Sequence, residues 1–363
     1  MIQVAENTNL TTSTDNTTAN ETDTEQSRRG RLYGRKWQVL IYRPTYKETT
    51  DADGNTTKEK DNNTDTQIDV SNLRCIFKTK ANIDTIAQTC TLVVYNMNAA
   101  TEKEVIEEGF QIAIYGGYQE GQYGQVYVGD IVQVFRNREN GIDYRLEIIA
   151  IAGAKEYCSN FVKCTLAAGS TPRTQITQIA NSSDRKFGVG EVSDELPVQP
   201  LPRGKVLFGT PAKYLRDICI FNDANYWSGQ DGNLVVKTVN QEIPEDQVLE
   251  LTPTTGLVGT PAYSDDGIHI KMLLDPRVIL QSMIKIDNEI IQRQAIQINA
   301  DGKQNPNAVD QNAIFDKNGE YQVFSIEHSG DTFGDDWTTT VIAAGRNGRL
   351  GKLGAITGKQ TMK

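Results

Sequence analysis

The sequence predicts a mainly β protein, with two β-rich units flanking a smaller mixed α+β region. Three observations predict it. Apolar residues alternate with polar ones in short runs over most of the chain, as half-buried strands require. Clusters of Gly, Asn and Asp separate these runs, which argues a sandwich or small barrel. Between the two sets of strands the period changes, and two proline-started helical patterns occur.

At 363 residues the chain has room for two to three domains. Its hydrophobic content of 38% is low for a compact globule, so part of the chain adds nothing to a core. That part is easy to place. Residues 1–30 are dominated by Asn, Thr, Asp and Glu and are expected to be disordered. Residues 46–66 repeat the composition and are read as a long polar hairpin loop. Each of these two tracts carries a net charge of −3, out of −10 for the whole chain.

The first β unit is expected over 31–150. Its strands are marked by Trp37, Val39 and Ile41; Leu73, Cys75 and Phe77; Cys90, Leu92 and Val94; Phe110, Ile112 and Ile114; Ile131, Val132, Val134 and Phe135; and Tyr144, Leu146, Ile148 and Ala150. One helix interrupts them at Thr101–Glu108, with Thr101 and Glu104 spaced as a capping box and Gly109 as the stop. The α+β region spans 151–257. Thr171-Pro172 and Thr210-Pro211 each set an N-cap before a proline at the first helical position. Ile176, Ile179 and Ala180 give the first helix its apolar face, and Tyr214, Leu215, Ile218 and Cys219 the second. Leu196–Pro202 is an extended proline-rich connector, and a hairpin turns at Gln230–Asn233. The second β unit, 258–345, has strands at Ile268, Ile270 and Met272; Ile284 and Ile286; Tyr321, Val323 and Ile326; and Trp337–Ala343, with a polar loop at 299–319. A Gly- and Lys/Arg-rich tail follows at 346–363.

Function classes are mostly excluded by what is missing. A net charge of −10 argues against broad nucleic-acid binding, which needs clustered cations. No apolar run approaches the roughly 18 residues needed to span a bilayer, and the N-terminus has no signal pattern. Five cysteines without a CxxC pair suit reduced thiols made in a cytosol. The chain has two histidines, His269 and His328, and no GxSxG, HExxH or P-loop pattern, so no cofactor is expected and the protein reads as structural, not enzymatic. Asp51, Asp53 and Asn55 match the start of a calcium loop. Thr56 and Asn62 stand where it needs glycine and glutamate, so no metal is expected there. Cys158 and Cys164 have poor zinc spacing, and Cys219 is expected in the core. The carboxylate pairs Asp265-Asp266 and Asp335-Asp336 sit in turns and read as solvated.

The runs NLRCIFKTK (72–80), TCTLVVYNMNAATEKEVIEEGFQIAIYGGY (89–118) and GQVYVGDIVQVF (124–135) resemble the first tube-forming domain of bacteriophage baseplate hub proteins, the late control protein D-like family. A strand ending at Asn96, a capped helix, a Gly116-Gly117-Tyr118 turn and a strand start at Gly129 follow that pattern. So do TPRTQITQIA (171–180), LTPTTGLVGTP (251–261), HIKMLLDPRVILQSMIKI (269–286) and GEYQVFSIEHSGDTFGDDWTTTV (319–341). The acidic N-terminal tract and residues 46–66 lie outside it.

The resemblance implies two tube-type β-barrel domains per chain and a homotrimer forming a pseudo-sixfold ring. That ring adapts a sixfold tail tube to a threefold central spike, and DNA passes through its lumen. Implied partners are the tail tube protein, the central spike protein, other baseplate proteins and the tape measure protein. The implied location is the virion baseplate, assembled in the host cytoplasm. A lumen that passes DNA should hold it weakly, so its wall is expected to be acidic or neutral on balance. The basic tail, with Arg346, Arg349 and Lys352 beside Leu350 and Leu353, is the expected partner-contact arm. The alternative is a carbohydrate- or surface-binding β-sandwich of a virion or cell surface, with Tyr226 and Trp227 as its candidate aromatic pair. A hydrolase would rely on His328 or Asp335.

Overall fold

The computed structural model describes residues 32–50, 56–83, 87–139, 141–239, 241, 243–244, 247–264, 267–291 and 319–345. The first β unit contributes β1 (Arg35–Thr50), β2 (Thr56–Asp69), β3 (Cys75–Asn82), β4 (Gln88–Tyr95), β5 (Gln111–Tyr118), β6 (Tyr123–Glu139) and β7 (Asp143–Ala152). Every strand marked by alternation there is present. The polar tract 46–66 departs from expectation: its flanks are strands, paired from Leu40↔Asp69 out to Thr50↔Thr56 with a register shift after Pro44. Backbone hydrogen bonding, not apolar alternation, builds this ribbon, so the sequence pattern does not reveal it.

Helix α1 (Ala99–Glu108) starts two residues earlier than expected, because Asn98 is its cap and accepts from the Ala100 amide at 3.2 Å. Gly109 ends it as expected, its amide donating to the Val105 carbonyl. The helix fills a notch. β5 stops at Gln111, opposite Tyr42 and Asp130, while β1 and β6 run on past it. Arg43 reaches Glu108 at 3.1 Å and Arg136 reaches Glu102 at 2.8 Å, tying the helix to both strands. At the end of β4, Asn96 adopts a left-handed φ of 53°, which Asn tolerates better than most residues.

The middle region holds β8 (Val162–Leu166), helix α2 (Pro172–Ser182), β9 (Val189–Val192), β10 (Lys205–Gly209), helix α3 (Pro211–Phe221), β11 (Ala224–Ser228) and β12 (Leu234–Thr238). Both helices start at their prolines. The Thr171 side chain accepts from the Thr174 amide, while the Thr210 side chain makes no such bond. Their expected faces are buried, Cys219 included, except that Tyr214 is half-buried. β8 pairs with β10, and β12 pairs with β11 and, in parallel, with β9.

The second β unit adds β14 (Ala262–Ser264), β15 (Gly267–Leu273), β16 (Met283–Lys285), β17 (Glu320–Asp331) and β18 (Trp337–Gly345), and β13 (Leu249–Glu250), from the end of the expected middle region, joins it. One sheet crosses both β units in the order β14-β15-β18-β17-β3-β4-β7-β6-β5-β1-β2, with β16 on β17 and β13 on β16. Among the described residues the strand path is open and closes no barrel by hydrogen bonding. At the junction, β3 pairs with β17 and not with β1. The gap toward β1 is bridged by the segment before β3, where Val70 donates to Val39 O at 3.0 Å and the Trp37 indole donates to Ser71 O at 2.9 Å.

Three clusters of buried side chains result, one in each β unit and one in the middle region. They interlock. Trp337, from β18, packs in the first cluster against Phe77 and Trp37, with centroids 5.7 and 6.1 Å away. Gly330 makes room for it, since a Cβ there would lie 2.4 Å from Phe77 and 3.0 Å from Trp337. Trp227, from β11, packs in the second cluster.

Candidate assembly surface

The outward face of the shared sheet spans both β units. β17 is the joint: its start pairs with β16 and the rest of that edge pairs with β3. Cross-strand rows therefore run through both units. One row is Lys271, Thr340, Glu327, Lys80, Thr89 and Ile151; the next is Leu273, Thr338, Ser329, Lys78, Thr91 and Ile149. These residues are exposed or half-buried and alternate with the buried ones beneath. Charge on this face is partly cancelled within it, by Lys78–Glu327 and Arg145–Glu147 pairs, each at 2.8 Å. His269 lies on the same face, as expected.

On the opposite face, where the units meet, the sheet presents polar side chains: Thr79, Gln88 and His328, all buried. The β11–β12 hairpin wedges in there and leaves a cleft of about 290 Å³. Gln88 donates to the Ser228 carbonyl, and Gln230 donates to Val278 O at 3.1 Å. His328 Nδ1 lies 2.8 Å from Thr339 Oγ1, and its Nε2 lies 3.4 Å from Gln230 Nε2. Burial pushes the His328 pKa down to about 4, against a smaller opposing pull from Asp275. A second clamp closes the seam: the buried Asp130 of β6 faces Lys155 at 3.5 Å and Arg185 at 3.6 Å, and Arg185 also pairs with Glu156 at 3.1 Å. These contacts fix the middle region against both β units.

The residues singled out from sequence fare differently. Arg346, Arg349, Leu350, Lys352 and Leu353 lie outside the described residues, as do Asp51–Asn55, Asp265 and Asp266. Tyr226 and Trp227 are buried, and the Tyr226 hydroxyl donates to Ala212 O, so neither offers a ring to a sugar. His328 is a core residue, whereas Asp335 sits on an exposed turn. Cys158 is exposed and Cys164 half-buried. Among the described residues no three His, Cys, Asp or Glu side chains gather where they could hold a metal ion, and no helix is long and apolar enough to cross a membrane. The exposed pair Val206 and Phe208 is not among the residues the sequence singles out; its signal is the apolar run Val206-Leu207-Phe208, where only Leu207 is buried.

A family model described as baseplate hub gp41 matches residues 56–292, more than half of the chain. The chain belongs to the baseplate hub gp41 family. Its role is accordingly that of a structural component of a phage tail baseplate. No curated protein matches it in sequence. Among solved structures, the tail protein from Neisseria meningitidis MC58 is similar at 10% identity and a TM-score of 0.50, covering 86% of this chain and 97% of that one. The 43 kDa tail protein of prophage MuSo2 from Shewanella oneidensis aligns at 11% identity and a TM-score of 0.45, covering 85% and 98%. The first of these likenesses is one of fold.

Proposed function

We propose that this baseplate hub protein is the adaptor between a sixfold tail tube and a threefold central spike. Three copies, each with two tube-type β units, make a ring of six. The observation that supports this most directly is the β17–β3 pairing, which turns two β units into one continuous wall. The outward face of that wall lines the channel in this reading. Around the junction of the two units it carries Lys78, Lys80, Lys271 and Arg145 with Glu147 and Glu327. Two of those four cations are paired within the face, which keeps phosphate contacts sparse and lets DNA pass. The protein acts by assembly, not catalysis. The tail from Arg346 through Leu353 reaches a neighbouring baseplate protein.

Imaging of the intact particle tests this reading. Threefold symmetry with six similar β densities around a channel is expected. A hub position occupied by a ring of another order, or by a single copy, overturns it.

A further inference from the structure

Two exposed patches of opposite charge, each carrying an exposed phenylalanine on a fixed backbone, suit each other. The first is on the middle region, where Val206 and Phe208 of β10 are 73% and 71% exposed. The Phe161 ring stands edge-on to Phe208 with centroids 4.7 Å apart. The Tyr214 hydroxyl accepts from the Phe208 amide and donates to its carbonyl, both at 2.9 Å, which fixes this edge strand and closes it to a further strand at that residue. Three cations hover over the platform: Lys163 at 5.5 Å from the Phe161 ring, and Lys205 and Lys213 at 5.8 and 5.9 Å from the Tyr214 ring. Asp184, 3.5 Å from Lys163, is the carboxylate paired there.

The second patch is the turn from Asp331 to Asp336. Arg74 grips the Asp331 carboxylate at 3.2 and 2.6 Å, and the Phe333 amide donates to it at 3.0 Å. Arg35 donates to the Gly334 carbonyl and, at 2.9 Å, to that of Asp335. A Cβ at Gly334 would lie 2.4 Å from Asp331 Oδ2, so the turn closes this tightly only with glycine. At its tip Phe333 is 66% exposed, flanked by the exposed Asp335 and Asp336.

We propose that the Phe333 turn of one copy docks on the Phe161–Phe208 platform of a second copy, with Asp335 and Asp336 against Lys163 and Lys205. A rigid aromatic anchor loses little entropy on docking, and opposite charges at its rim set the register. The two patches are unlike, so the contact is head-to-tail, the kind that generates a ring when its rotation closes. This deepens the ring reading above and rests on it for closure. A stable interface buries roughly 800 Å² per partner, so the two patches are anchors within a larger contact.

The test is sedimentation velocity on the full chain across concentration and salt. Wild type should self-associate, more weakly at high salt. Phe333→Ala should weaken association at least about tenfold, as loss of a central anchor does. Lys163→Glu with Lys205→Glu, and Asp335→Lys with Asp336→Lys, should each abolish it, and the fourfold combination should restore it. Circular dichroism confirms that each variant is folded. A wild type that stays monomeric, charge reversals that leave association intact, or a folded combination without rescue overturns the contact. A ring seen in the particle alongside intact association of the variants leaves the hub reading standing and removes only this interface. If the lysine reversals instead abolish single-stranded DNA binding and leave association unchanged, the platform belongs to nucleic acid and the proposal fails.

Discussion

Trp337 offers the sharpest test of the packing, because it belongs to the second β unit by sequence and to the first core by contact. Its ring is 1% exposed and meets Phe77 and Trp37 edge-on, yet its indole N–H is buried without a hydrogen-bond partner. Trp337→Ala should cost about 3–5 kcal/mol, the usual range for emptying a buried aromatic site. At roughly 2–4 °C per kcal/mol for a domain of this scale, the melting point falls by about 10 °C. Trp337→Phe should behave very differently. It removes about 40 Å² of buried apolar surface, about 1 kcal/mol at 25 cal/mol per Å². It also deletes an unpaired buried donor, which costs about 1–3 kcal/mol where it stands. The two effects oppose each other, so Trp337→Phe should lie between wild-type stability and about 2 kcal/mol above it. Urea unfolding followed by calorimetry measures both. A Trp337→Phe loss as large as that of Trp337→Ala would refute the reasoning, since it would mean the indole N–H makes a bond that matters.

Three further outcomes follow from the seam and the turns. His328 is held neutral with its folded pKa near 4, below the unfolded value of about 6.5. Its share of stability is therefore complete above pH 6.5 and drains as pH falls toward 4, by an amount on the order of 3 kcal/mol; a pH series of melting points should flatten in this window in His328→Gln. Asp331 is held below the ordinary carboxylate range by hydrogen bonds from Arg74 and the Phe333 amide, against the opposing effect of burial. Arg74→Met should accordingly lower stability at pH 7 by about 1 kcal/mol, because Arg74 is part-exposed and the pair is screened, with the deficit shrinking in acid as Asp331 protonates; a deficit that stays constant through the acid titration would contradict this. Deletion after Gly345 should weaken capture of the neighbouring baseplate protein in a pull-down while leaving the melting point of the isolated chain in place.

Much of the fold was legible because one face of each strand is buried. Cys90, Leu92 and Val94, or Ile268, Ile270 and Met272, alternate so cleanly that only their neighbours were unknown. Neighbours are what alternation omits: period two assigns a face and says nothing of which strand lies alongside. The pairing of β3 with β17, across some 250 residues of chain, was therefore out of reach. The ribbon over 46–66 was missed for the opposite reason, since its Thr, Asp, Asn and Lys residues bury no apolar stripe to read. Helix α1 is capped by Asn98 and not Thr101, because either residue type caps well and composition does not choose between them. The exposed aromatic patch left a trace in Val206-Leu207-Phe208, where both outward positions are apolar. Its lysines and rings come from three separate segments, and sequence spacing gives no hint that they meet.

The joint at β17 also limits how such a ring can reconcile two symmetries. A hinge between the β units would have to break the β17–β3 ladder, draw Trp337 out of the first core, and open the seam held by Gln230, His328 and Asp130. The second step alone costs several kcal/mol, so the two units turn as one body. On the proposed reading, the match to a sixfold tube then comes from having two β units per copy, not from flexing them. What occurs once per copy is the middle region, with its aromatic platform, and the Phe333 turn at the β17–β18 corner. Features present once per chain are the ones able to address a threefold partner or to count copies around a ring. On that reading, the order of the ring is set by these single-copy features, and the evenness of its wall by the two β units.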